Sequence, residues 1–181
     1  MGKNVVVITP SEREILVERV FDAPASLVFE AHTKPELVRK WLLGPPGWSM
    51  PVCEIDLRVG GRFHYMWRRD ADGAEFSVRG EFREIVAPVR IVHSERMGEI
   101  GHTGESEEGI STLTLVERDG RTTLGMRMLF GSRELRDQAL KSGMTNGMSM
   151  SYDRLETMLY SLMFPVKSEG VIVRPVLGGE Q

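Results

Sequence analysis

The sequence predicts an α+β fold: an antiparallel sheet of seven strands, two short helices after the first strand, and one long C-terminal helix. Three observations predict it. Segments with two-residue alternation, separated by Gly, Pro and Asp-Gly turns, fill the middle of the chain. Two short helical stretches, set off by prolines, interrupt the strands early on. From about Ser132 the apolar period becomes helical and stays so to Met163.

The first strand is Glu14 to Phe21, in "REILVERVFDAP", and it ends before Pro24. A short helix follows from about Ala25 to His32, with Leu27, Val28 and Ala31 on one face. A second begins at Pro35, a residue favoured at the first helical position, and "GPPG" stops it. "SMPVCEIDLRVGG" is the second strand, closed by Gly60-Gly61. "RFHYMWRR" is the third; Phe63, Tyr65 and Trp67 point one way and His64, Met66 and Arg68 the other. After a "DADG" turn, "EFSVRGEFREIV" and "VRIVHSERM" are the fourth and fifth strands. "GEIGHTGESEEG" is an acid-rich loop, placed at a pocket rim. "ISTLTLVERDGRTTLGMRMLF" is a hairpin turned at Asp119-Gly120, which supplies the last two strands. The stripe of the long helix reads Leu140, Met144, Gly147/Met148, Ser151, Leu155, Met158 and Leu162. Met150 and Asp153 fall outside it.

Composition narrows the function. The 181 residues suit one domain with a real core. A net charge of −3 argues against nucleic acid as the main partner. The single cysteine, Cys53, excludes an intrachain disulfide framework and a multi-cysteine zinc site, and it reads as a buried small hydrophobe. There is no signal-peptide pattern and no membrane-spanning apolar run, so a cytoplasmic protein is expected. His32, His64, His93 and His102 lack metal-ligand spacing, and no metal or cofactor is expected. His93-x-Glu95 lacks the downstream cysteines of a zinc deaminase. "GGRF" opens a strand rather than a helix, so it is no dinucleotide fingerprint.

"ERVFDAPASLVFEAHTKPELVRKWL", "GGRFHYMWRRDADG", "GEFREIV" and "SGMTNGMSMSYDRLETML" together resemble the helix-grip domains of the START-like (SRPBCC) superfamily. More narrowly they resemble the bacterial stand-alone relatives of the C-terminal domain of the activator of the heat-shock chaperone ATPase. The resemblance spans residues 12–163, leaving an N-terminal arm, 1–11, and a C-terminal extension, 164–181, of unknown role. It implies a curved sheet wrapped around the long helix, with a cavity between them that takes a small apolar or amphipathic molecule. Such relatives often carry tryptophan at the position of Met148.

The candidate ligand wall is Trp41, Trp48, Phe63, Tyr65, Trp67, Met126 and Met128, with Met144, Met148 and Ser151 on the helix. Soft methionines suit a cavity of variable occupancy, and they equally suit an irregular filled core. Gly143 and Gly147 would let the helix bend or approach the sheet closely. Tyr65 offers a polar handle. His93 and Glu95 share one strand face; inward they make a polar or proton-transfer pair, outward a solvated one. The first expectation is non-catalytic binding of an apolar ligand. The second is a co-chaperone-like module, ranked lower because the chain has no room for the additional N-terminal domain of full activators. The third is a cyclase or hydrolase using His93 and Glu95. The extension segment "VIVRPV" and the sheet edges are compatible with a homodimer, which the sequence does not specify.

Overall fold

The computed structural model describes residues 5–99 and 107–165. His102, most of the acid-rich loop and residues 166–181 lie outside the described residues. The elements are β1 Val6–Ile8, β2 Glu14–Phe21, α1 Ala25–Thr33, α2 Pro35–Trp41, β3 Trp48–Ile55, β4 Arg62–Arg69, β5 Glu75–Val86, β6 Arg90–Glu99, β7 Gly109–Arg118, β8 Arg121–Leu129, α3 Arg133–Lys141 and α4 Met144–Met163.

Two expectations need correction. The sheet has eight strands, not seven, because Val6–Ile8 pairs antiparallel with β2 as an edge strand. "VVVI" lacks alternation because an edge strand need not bury one face. The C-terminal helix is two helices. Gly143 sits at φ 81, in the left-handed region, and separates α3 from α4. Ser132 caps α3 by accepting from the Leu135 N–H at 3.2 Å.

The sheet order is β1-β2-β8-β7-β6-β5-β4-β3, antiparallel throughout. β3 to β8 form a meander, and the α1–α2 pair carries the chain from one side of the sheet to the other. The β7–β8 turn holds Asp119 at φ 52 and Gly120 at φ 71, the two positive angles of a tight hairpin that matches strand twist.

α4 lies closest to β2, α1 and α2. Along β2 the alternate residues Ile15, Val17, Arg19 and Phe21 are buried. Against them α4 buries Ser151, Tyr152, Leu155 and Leu159. Leu162, expected on the buried stripe, is 44% exposed. The buried face near the C-terminus runs through Leu159, and Leu162 sits in the last turn of α4, where Ser161 and Phe164 are exposed as well.

An aromatic series ties the helices to the sheet. The His32 ring lies 4.7 Å from Trp41, Trp41 stacks on Tyr152 at 5.9 Å, and Tyr152 meets Phe21 edge-on at 5.8 Å. Trp41 donates to the Ala31 carbonyl at 2.9 Å. His32 places Nδ1 2.7 Å from the Val28 carbonyl, while its buried Nε2 has no partner among the described residues. Burial therefore lowers the His32 pKa from 6.5 to about 4, although the Val28 carbonyl favours the proton.

A depressed histidine pKa means that the unfolded chain takes the proton first as the solution is acidified. The contribution of neutral His32 is complete above pH 6.5 and is lost as pH falls towards about 4. We expect a loss of about 3 kcal/mol across that window, read from urea unfolding at several pH values. His32→Gln should flatten that limb; an unchanged acid limb would contradict the assignment.

Candidate functional site

Register determines what faces α4. Trp67 pairs with Phe76, Tyr65 with Val78 and Phe63 with Gly80. Val78 pairs with Met97 and Phe82 with His93. His93 continues through Ser111 and Met128 to Ile15, whose side chain is in the core. Opposed residues share a face, so all of these, and Glu95 by its two-residue spacing from His93 and Met97, belong to the inner face. His64 pairs with Glu54 and Arg79, on the outer face.

The inner side chains of β4 to β6 form a continuous aromatic belt. Phe63 lies 5.0 Å from Tyr65, 5.5 Å from Phe82 and 4.9 Å from His93. Tyr65 lies 6.1 Å from Trp67, and Trp67 lies 5.9 Å from Phe76. The Trp67 indole donates to the Leu42 carbonyl at 2.7 Å, which fixes the ring beneath the end of α2.

Cover over the inner face is uneven. Residues on the β2, β7 and β8 side, such as Ile15, Val17, Leu113 and Leu124, are fully buried. Tyr65, Trp67, Phe76, Met97 and Met126 are only partly buried, as are Leu140 on α3 and Met144 and Met148 on α4. On β4 to β6 Phe63, Val78, Phe82 and Ile91 are buried, so the partly open apolar groups run along part of that face only.

Polar groups punctuate this wall. His93 Nδ1 is 3.5 Å from Glu95 Oε1 and 3.4 Å from the Ser94 carbonyl, with the His93 and Glu95 side chains 13% and 17% exposed. Burial first, then the nearby Cys53 and Glu95, raises the Tyr65 pKa and keeps the phenol protonated. Burial likewise raises that of the Cys53 thiol. The pair can hold a ligand hydroxyl or amine, or relay a proton between its two groups. Among the described residues no group of three or more His, Cys, Asp and Glu could hold a metal.

The expected wall residues divide. Phe63, Tyr65, Trp67, His93, Glu95, Met126 and Met128 share the inner face, with Phe63 and Met128 buried in the core. Trp41 belongs to the helix–helix core, not to the belt. Trp48 lies at the start of β3 with the Arg69 guanidinium 5.6 Å over its ring. Ser151 is buried, and its hydroxyl accepts from the Gly44 N–H at 3.2 Å, so it anchors a loop. Phe76 and Met97 were not singled out, and Leu140 was read as part of the helix stripe rather than of the wall. Phe76 follows from counting across the "DADG" turn opposite Trp67, and Met97 from continuing the two-residue parity of His93 and Glu95.

Gly147 does not serve a close approach to the sheet. A Cβ there would meet only Pro45 Cδ, at 3.9 Å, an ordinary contact. Gly147→Ala should therefore stabilise α4 by about 1 kcal/mol, the usual helix gain over glycine. Gly143→Ala should destabilise by about 1 kcal/mol, because the left-handed angle disfavours a side chain. Thermal melts of both variants check this; equal shifts in one direction would contradict it.

Two hollows lie away from the aromatic belt. A small one is lined by Phe21, Asp22, Glu156, Leu159 and Tyr160. An open groove of about 450 Å³ runs between α1 (Phe29, Glu30, Thr33, Lys34) and Leu57, Ala87 and Pro88. No described helix is long and apolar enough to cross a membrane.

With the geometry in hand, comparison with known proteins is informative. The family model described as activator of Hsp90 ATPase homolog 1-like protein matches residues 22–160. A crystal structure from Rhodobacter sphaeroides is 26% identical, with a TM-score of 0.77, over 88% of this chain and 99% of that one. A Chromobacterium violaceum protein is 26% identical, with a TM-score of 0.68, over 80% and 96%. A Mycobacterium smegmatis protein, 22% identical with a TM-score of 0.76 over 88% and 99%, shares the fold. No curated protein matches significantly.

Proposed function

The chain belongs to the activator of Hsp90 ATPase homolog 1-like family, and from that premise we propose that it binds a small apolar or amphipathic molecule without covalent chemistry. The ligand lies between the inner face of β4 to β6 and the start of α4. The observation that carries this reading is a run of partly open apolar side chains: Tyr65, Trp67, Phe76 and Met97 on the inner face of β4 to β6, with Met144 and Met148 on α4. Burying apolar ligand surface contributes roughly 25 cal/mol per Å², less the costs of association. Methionines at the start of α4 adapt to shape, and the polar pair sets orientation.

The test is native mass spectrometry of gently purified protein beside a denatured sample. The reading expects a non-covalent adduct that is lost on denaturation. A bare mass, with no uptake of a supplied ten-carbon alcohol, would overturn it.

The family description favours a second reading, activation of a chaperone ATPase. The exposed apolar Leu57, Val59, Val86 and Val89, two of the turns beside the α1 groove, suit a protein contact. A rise in the ATPase rate of a purified bacterial Hsp90, abolished by Leu57→Glu with Val89→Glu, supports that reading; no change at micromolar protein removes it.

A further inference from the structure

We propose that the ligand of the inner-face cleft is an amphiphilic organic cation, an alkyl chain carrying an ammonium group. This inference rests on the binding reading above and specifies its substrate class. Its basis is the setting of Glu95.

The carboxylate sits on the inner face, with its side chain only 17% exposed. Its nearest cationic candidate among the described residues is His93, at 3.5 Å, a long contact for a single ion pair. The Glu95 carboxylate is thus neutralised by no arginine or lysine ion pair among the described residues. The buried arginine of the inner face cannot serve it, because Arg19 is committed to Asp153 at 2.9 Å and Glu156 at 2.8 Å. Arg79 and Arg96 stand opposite each other in the register of β5 and β6, on the outer face, and Arg96 lies 3.5 Å from Glu108.

The surroundings select the kind of cation. Tyr65, whose phenol feels the Glu95 charge, stands in the belt with Phe63, Trp67 and Phe76. Aromatic faces attract cations through the ring quadrupole, most strongly when water is excluded. A carboxylate that shares a partly open sheet face with several rings is complementary to an alkylammonium group. It is unfavourable to a fatty carboxylate, which would bring a like charge to Glu95. A neutral alcohol would gain the apolar contact without the charge term.

The experiment titrates the full chain with three probes of equal chain length, decyltrimethylammonium, decanol and decanoate, each below its micelle concentration. Binding is read by calorimetry. The proposal expects decyltrimethylammonium to bind about tenfold more tightly than decanol, with decanoate weakest. Glu95→Gln, which keeps size and shape, should erase the preference for the cation over decanol. Equal binding of cation and alcohol to the unmodified chain, or an undiminished preference in Glu95→Gln, would overturn the cation assignment while leaving the cleft reading intact. Failure of all three probes to bind would overturn both.

Discussion

Gly80→Ala is expected to destabilise the protein by about 3 kcal/mol or more, lowering the melting temperature by roughly 10 °C. A Cβ at Gly80 would stand 1.8 Å from the Ser94 carbonyl oxygen and 2.6 Å from Phe63 Cε1. The first neighbour is backbone, so relief requires β5 and β6 to separate. The second is a buried ring, which would have to leave its contacts with Phe82 and His93. Separation also threatens the bond from the Glu81 N–H to Ser94 Oγ at 3.3 Å, next to the register shift between Phe82 and Glu84. The glycine therefore lets the sheet bend beneath the aromatic belt. Gly98→Ala is the control, because a Cβ there meets nothing within 4 Å. A Gly80→Ala melt within about 2 °C of that control would contradict the account.

Arg19→Ala is expected to cost about 3 kcal/mol, and Arg19→Met clearly less. Arg19 is 2% exposed, donates to Asp153 and Glu156 on α4, and lies with its guanidinium 5.7 Å from the Phe21 ring. It is thus the polar clamp between β2 and the helix. The Asp153 side chain is 59% exposed and that of Glu156 30%, so both carboxylates rehydrate when the arginine is removed. The loss is then mostly packing plus two charge-assisted hydrogen bonds, and methionine restores much of the packing. Chemical unfolding of the two variants reads this directly. Equal losses would show that charge, not volume, dominates the clamp. Amide exchange in α4 should quicken in Arg19→Ala, because the helix loses its tie to the sheet.

The strands were legible where burial is one-sided. "RFHYMWRR" alternates because one face meets the core and the other meets water. The same parity placed His93 and Glu95 together. Arg19 escaped notice although it occupies the buried parity of Ile15, Val17 and Phe21. Its partners lie 134 and 137 residues away, and no local pattern announces a pairing at that distance. The two-helix break escaped for a related reason. A glycine inside an apolar period reads as a weak point in one helix until its backbone angle is known. Trp41 was grouped with the wall because aromatic surface alone does not reveal whether a ring meets a ligand or another helix. Nor could the sequence show that the Ser151 hydroxyl accepts from the Gly44 N–H, which lies 107 residues away.

The central claim is that the inner face of β4 to β6 receives a small apolar molecule. Amide NMR shifts of the isotopically labelled chain during titration with decyltrimethylammonium or decanol test it most directly. The account predicts shifts concentrated in Phe63–Trp67, Phe76–Val78, His93–Met97 and Met144–Met148, with β1 silent. Shifts confined to Ser26–Lys34, Leu57 and Ala87, the groove beside α1, would contradict it and turn attention to the outer surface.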